Sequence, residues 1–129
     1  MATIKSYTDV SQSKVLAKIL PIESADMFYS SDGTATKIPY TVHYLMWKDC
    51  VADISPCWSL AALRNLLPPA IKPNKDSYLF LFESHNTFDK SWVYRYYNED
   101  DTSYLDYKNT NEVDACVEMM IKLHELNLL

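Results

Sequence analysis

Three residues with metal-binding or nucleophilic side chains, His43, Cys50 and Cys57, fall at equal intervals of seven along the chain and could in principle meet around an ion. Structural zinc sites, however, bring paired ligands close in sequence, as in C-x2-C, and need a fourth ligand. Neither His85, His124 nor Cys116 obviously supplies it. Cys57 and Cys116 read instead as small buried hydrophobes. A cysteine nucleophile needs a lowered pKa, and Cys57 falls where the sequence predicts the first turn of a helix, whose backbone amides would stabilise a thiolate. No histidine and orienting carboxylate are committed to it, and bulky Trp58 is its neighbour. Should a pocket form beside that helix, His43, Cys57, Trp58 and Arg64 or Asp53 would converge in it. With Gly33 as the only glycine, neither a P-loop nor a dinucleotide-binding turn can be built. The expectation is of no catalytic residue, no metal and no cofactor.

The aromatic residues carry a different chemistry, that of contact. Tyr78, Phe80 and Phe82 alternate along one stretch, and Trp92, Tyr94 and Tyr96 along another, so each set lines one side of its own strand. On the opposite sides lie Leu79 and Leu81 in the first stretch and Val93, Arg95 and Tyr97 in the second. If helices cover the aliphatic side, an aromatic face remains for another segment or a partner protein to cover. Alternatively, the rings are themselves the core.

The elements that position these residues follow from periodicity and from stop signals. Asp9 and Gln12 have capping-box spacing, and Val10, Val15, Leu16, Ile19 and Leu20 form an apolar stripe, predicting a helix over 9–20 that ends at Pro21. Ala25 to Tyr29 is a short strand or a connector, and Asp32-Gly33 a turn. Lys37 to Trp47 is β-branched and aromatic, predicting a strand with Pro39 near its start. Ser55-Pro56 reads as N-cap and first helical residue of a helix over 56–67, stopped by Pro68-Pro69. Ala70 to Asp76 is expected to be a loop. Strands are predicted at Tyr78 to Glu83, Ser91 to Tyr97 and Ser103 to Tyr107, forming a meander. A final helix over 111–126 buries Val113, Cys116, Val117, Met120 and Leu123, with Glu112 and Asp114 at the positive end of its dipole. The fold expected is α+β, an antiparallel sheet of about four or five strands with three helices packed mainly on one face.

The chain has 129 residues, 48% of them hydrophobic and 22% charged, a size and composition that fit one globular domain over 1–129. Acids outnumber Lys and Arg by 17 to 12, and the excess lies in the second half. From Glu99 to Glu118 there are seven acids and one base, Lys108. Such a surface repels phosphate backbones and argues against nucleic-acid binding. It could instead imitate nucleic acid towards a basic partner, although acidic turns and helix starts are commonly plain solvated surface. Met1 to Ser6 lacks the apolar core of a signal peptide, and no apolar run approaches the roughly 20 residues that span a bilayer. An odd number of cysteines, three, fits reduced thiols, so a cytoplasmic location with no membrane contact is expected.

The segments Pro56 to Leu63, Glu23-Ser24-Ala25-Asp26-Met27, Trp47-Lys48-Asp49-Cys50 and Val113-Asp114-Ala115-Cys116 together resemble a family of small uncharacterised proteins encoded by gut bacteria and their mobile elements. The resemblance spans most of the chain and implies no reaction, ligand or site residue. The functional expectation is a non-enzymatic cytoplasmic protein-interaction domain that binds an unidentified protein partner or forms a homo-oligomer through Tyr78, Phe80, Phe82, Trp92, Tyr94 and Tyr96. The alternatives are a small enzyme or ligand-binding protein using the pocket near Cys57 and His43, and an acidic nucleic-acid mimic.

Overall fold

The computed structural model describes residues 5–29, 34–37, 55–74, 77–98 and 103–129, which form three α-helices and two antiparallel sheets, an α+β fold. The expected turn at Asp32-Gly33 and nearly all of the expected strand from Lys37 to Trp47, with His43, lie outside the described residues, as does Cys50. The chain divides into two compact units, Ser6–Leu66 and Met1–Lys5 with Leu67–Leu129.

In the first unit, helix α1 is Val10–Leu16. Its start is the expected capping box: Gln12 N donates to Asp9 Oδ1 at 2.8 Å, and Asp9 N donates to Gln12 Oε1 at 3.1 Å. The helix proper stops before the expected Leu20, although Leu20 N still donates to Leu16 O at 2.8 Å and both leucines are buried. After Pro21 comes one 3-10 turn, Ile22–Ser24, and then a small sheet. Strand β1 (Met27–Tyr29) pairs on one side with β2 (Ala35–Lys37) and on the other with β3 (Ser55–Cys57).

The second helix is displaced from its expected start. Ser55 and Pro56 belong to β3, and α2 begins only at Leu60, running Leu60–Leu66. Two interactions with residues distant in sequence outweigh the Ser-Pro signal. Pairing of Met27 with Cys57 and Phe28 with Pro56 draws the segment into an edge strand, where a proline without an N–H is tolerated. Ser59 then takes over as the cap: Ala62 N donates to its Oγ at 3.2 Å, while Ser59 N donates to Asp26 Oδ1 at 2.9 Å and the Ser59 hydroxyl donates to Asp26 Oδ2. Asp26 fastens the helix start to the residue that precedes β1. The core beside it is built on Thr8, whose amide donates to Trp58 O at 2.9 Å and whose hydroxyl accepts from Trp58 N at 3.2 Å.

The second unit is a meander of four antiparallel strands in chain order: β4 (Ala70–Asn74), β5 (Ser77–Asn86), β6 (Ser91–Tyr97) and β7 (Ser103–Asn109). The segment expected as a loop, Ala70 to Asp76, is therefore mostly strand. Ile71, opposite Leu79, is buried, and Pro73 fits because β4 is an edge strand whose register shifts between Ile71 and Asn74. The β5–β6 turn is also tighter than expected, because Ser84, His85 and Asn86 continue the ladder opposite Val93, Trp92 and Ser91. Four residues remain for the turn, with Lys90 in the left-handed region at φ 61°. Helix α3 (Glu112–Glu125) packs on β6 and β7. The Asn111 side chain caps it by accepting from Asp114 N at 3.2 Å. Its buried face holds the five expected residues and also Ala115 and Met119. No helix among the described residues is long and apolar enough to cross a membrane.

The displaced cap is testable by urea unfolding. Ser59→Ala removes the hydroxyl that caps α2 and bonds to Asp26, and is expected to cost about 1–2 kcal/mol. Ser55→Ala, at an exposed strand position, should stay within about 0.5 kcal/mol of the parent. The reverse order would restore Ser55 as the cap.

Candidate interaction surface

Antiparallel register decides which side chains share a face. Phe80 stands opposite Tyr97 and Phe82 opposite Arg95, whereas Leu81 stands opposite Tyr96 and Glu83 opposite Tyr94. Residues directly opposite point the same way. The two expected aromatic sets therefore lie on opposite faces of the sheet. Tyr94 and Tyr96 are fully buried with Leu79 on the face that α3 covers, whereas Tyr78, Phe80 and Phe82 are 57%, 52% and 41% exposed on the other. Trp92 shares the helix-side face near the hairpin end, partly buried and stacked on His85 with ring centroids 4.2 Å apart. Only half of the expected set forms a surface, because the pairing offset places Leu79 and Leu81 with Tyr94 and Tyr96.

The buried phenols are satisfied. The Tyr94 hydroxyl donates to Glu112 Oε1 at 2.5 Å and that of Tyr96 to the Pro68 carbonyl at 2.6 Å. Burial pushes both pKa values up, and for Tyr94 the Glu112 carboxylate adds to the effect.

The open face gains members that the alternation of β5 alone does not reveal. Tyr104, 47% exposed, alternates with buried Leu105 on β7, and Asp106 stands opposite Arg95. Cations lie over the rings: Lys72 Nζ is 5.1 Å from the Tyr78 centroid and the Arg95 guanidinium carbon 5.7 Å from that of Phe82. The Phe82 and Tyr97 rings meet edge to face at 5.7 Å. Arg95 also pairs with Asp106 at 3.6 Å, while its Nε is buried without a hydrogen-bond partner among the described residues.

A further exposed ring lies outside the expected set. Phe88, in the β5–β6 turn, is 98% exposed. The turn is braced around it: Phe88 N donates to Asn86 Oδ1 at 2.8 Å, Ser91 donates twice to Asp89 Oδ1, and Lys108 pairs with Asp89 at 2.8 Å. The Lys108 and Ser91 donors hold the Asp89 carboxyl below the usual range. Its place between Asn86-Thr87 and Asp89-Lys90, a polar turn-forming stretch, is the available signal.

Among the described residues, the expected members of the alternative pocket do not line a common cleft. Cys57 and Trp58 have no exposed surface, and His43 and Asp53 lie outside the described residues. Arg64 does line a cleft of about 530 Å³, but with Asp26, Ser59, Tyr7, Met27 and Leu60. Cys57 sits in β3 and not in a helical first turn, so the amides expected to favour a thiolate are absent from its position. Its Sγ donates to the Thr8 carbonyl at 3.5 Å, and burial raises its pKa. The same carbonyl accepts from the Tyr29 hydroxyl at 2.6 Å, and burial raises that pKa also. Among the described residues no group of three or more His, Cys, Asp or Glu side chains could hold a metal ion.

The four acids of the interval that lie among the described residues make contacts within their own unit. Asp106 meets Arg95, Glu112 accepts from Tyr94, Asp114 pairs with Lys5 at 2.8 Å and Glu118 accepts from Asn109 at 3.5 Å. No family model, curated protein or solved structure matches the chain.

Alkylation tests the reading of Cys57 as packing. A raised pKa keeps the thiol neutral as pH passes the ordinary thiol value of about 8.5. Iodoacetamide should leave the peptide carrying Cys57 unmodified in the folded protein across that range and modify it on unfolding. Rapid modification of the native protein near neutral pH would contradict this reading.

Proposed function

We propose that the chain is a protein-interaction domain that works by binding another protein, with no reaction of its own, and that it docks through the open face of the four-stranded sheet. The observation that carries this reading is the cluster of Tyr78, Phe80, Phe82 and Tyr104 on one face, all substantially exposed, with Lys72 and Arg95 placed over two of the rings. Exposed rings cost free energy in water, and contiguous ones are uncommon on monomers unless something covers them. Aromatic residues and arginine are the types enriched in interface cores. The rings stand on a paired hairpin, so little conformational freedom is lost when they are covered.

The cytoplasm is the compartment this reading assigns, supported by the buried thiols Cys57 and Cys116, which form no disulfide with each other. An accessory protein of gut-bacterial mobile elements, the setting that the sequence resemblance implies, would act in that compartment. A second reading, binding of a small ligand, is favoured by one observation, the presence of Arg64 and Asp26 in the lining of a largely apolar cleft. It requires neither Cys57 nor Trp58.

The test is affinity capture from native cells with three baits: the parent, Tyr78→Ser/Phe80→Ser and Phe88→Ser. The double variant alters rings that are more than half exposed, so the fold should be kept, yet it should lose a protein that the parent and Phe88→Ser both retain. Equal capture by all three would remove the open face from the account.

A further inference from the structure

We propose that the outer edge of β7 pairs with β7 of a second copy, joining two four-stranded sheets into one of eight strands about a twofold axis through Tyr107. This inference concerns the edge of the sheet and stands without the reading of its open face. The strand order leaves β4 and β7 as the two edges. They are built differently. Strand β4 has five residues, a proline and a register shift, the devices by which natural sheets discourage pairing. Strand β7 has seven residues and no proline, and its single register shift falls near its start, opposite Tyr96 and Tyr97. From Leu105 to Asn109 it is regular and, among the described residues, has a strand partner on one side only.

Charges on an edge usually act as guards against pairing. Here they are self-complementary. Asp106 and Lys108 lie two residues apart, on the open face, and both lean inward across the sheet, Asp106 to Arg95 and Lys108 to Asp89. When two copies of β7 run antiparallel about Tyr107, Asp106 of each stands directly opposite Lys108 of the other, on the same face. Directly opposed residues have Cβ atoms about 4.5–5.5 Å apart, close enough to pair. The row across the seam then alternates in sign: Arg95, Asp106, Lys108 of the copy, Asp89 of the copy.

The register is specified as well. Residues that face each other across a sheet must project to the same side, so the axis has to pass through a residue. Centring on Asp106 sets that carboxylate against itself, and centring on Lys108 sets two ammonium groups against each other. Tyr107 is the position that matches both charges. The joined open faces form one continuous surface.

Charge exchange separates this pairing from the contacts within one chain. By sedimentation over a concentration series, the parent is expected to dimerise. Asp106→Lys and Lys108→Asp, each of which sets like charges opposite one another at both ends of the seam, should each weaken dimerisation about tenfold or more. Mixing the two single variants should restore a dimer, now a heterodimer, because lysines 106 and 108 of one chain meet aspartates 108 and 106 of the other. The double variant should also regain self-association, although within one chain it places Lys beside Arg95 and Asp beside Asp89. Far-UV circular dichroism of each variant checks that the sheet is kept. A parent that stays monomeric throughout, a dimer indifferent to all these exchanges, or single variants that fail to associate when mixed would overturn the proposal. So would a dimer abolished by Phe82→Ser but untouched at 106 and 108, which would move the interface to the face.

Discussion

The pairing of β5 with β6 is the constraint on which the second unit rests. A strand has a side-chain period of two, so a single choice of register assigns every residue of both strands to helix or to solvent. With Leu81 opposite Tyr96 and Phe80 opposite Tyr97, the leucines of β5 join the tyrosines of β6 under α3. A one-residue slip of β5 would trade its leucines for Phe80 and Phe82, and a one-residue slip of β6 would trade Tyr94 and Tyr96 for Arg95 and Tyr97. The buried tyrosines reinforce the choice from the covered side, since their hydroxyls have partners at Glu112 and Pro68 that exist only in this arrangement. Burying a hydroxyl without a partner costs about 1–3 kcal/mol, comparable with the worth of a well-packed ring pair. Register is thus fixed by apolar area and polar satisfaction together.

The described residues of the first unit solve a different problem, how to hold three short strands and two short helices in place. They do so through polar residues at the ends of elements. Asp26 fastens the start of α2, Asp9 that of α1, and Thr8 joins Trp58, Ser13 and Cys57 into one buried network. The indole of Trp58 is satisfied by Ser24, which lets a large ring be buried completely. Cys57 belongs to this network as packing. A neutral thiol surrounded by hydroxyl and carbonyl partners is well held and poorly reactive.

Much of this was legible in the residues. The Asp9 and Gln12 capping box, the start of α3 near Asn111, the buried stripe of that helix and the strands of the meander all follow from local signals that tertiary structure reinforces. The failures have physical causes. Ser55-Pro56 is a sound helix start taken alone, but the pairing of Cys57 with Met27 and the side chain of Asp26, 33 residues before Ser59, decide otherwise, and neither is visible locally. Ala70 to Asp76 reads as a loop from Pro73 and Asn74, because local sequence does not show that Ala70–Asn74 is an edge strand, where a proline is tolerated. The surface was half legible: alternation gave each strand its two sides, but only inter-strand register tells which sides match. Phe88 and Tyr104 were missed for the same reason, their exposure being set by the turn and by β7.

Hydroxyl-radical footprinting read residue by residue is the most direct test of that register. The account requires rapid labelling of Tyr78, Phe80, Phe82 and Phe88 in the isolated chain, with Tyr94 and Tyr96 protected until the sheet unfolds. Tyr94 and Tyr96 labelled as fast as Phe80 and Phe82 would mean that the faces are assigned the wrong way round, and the open aromatic surface would go with them.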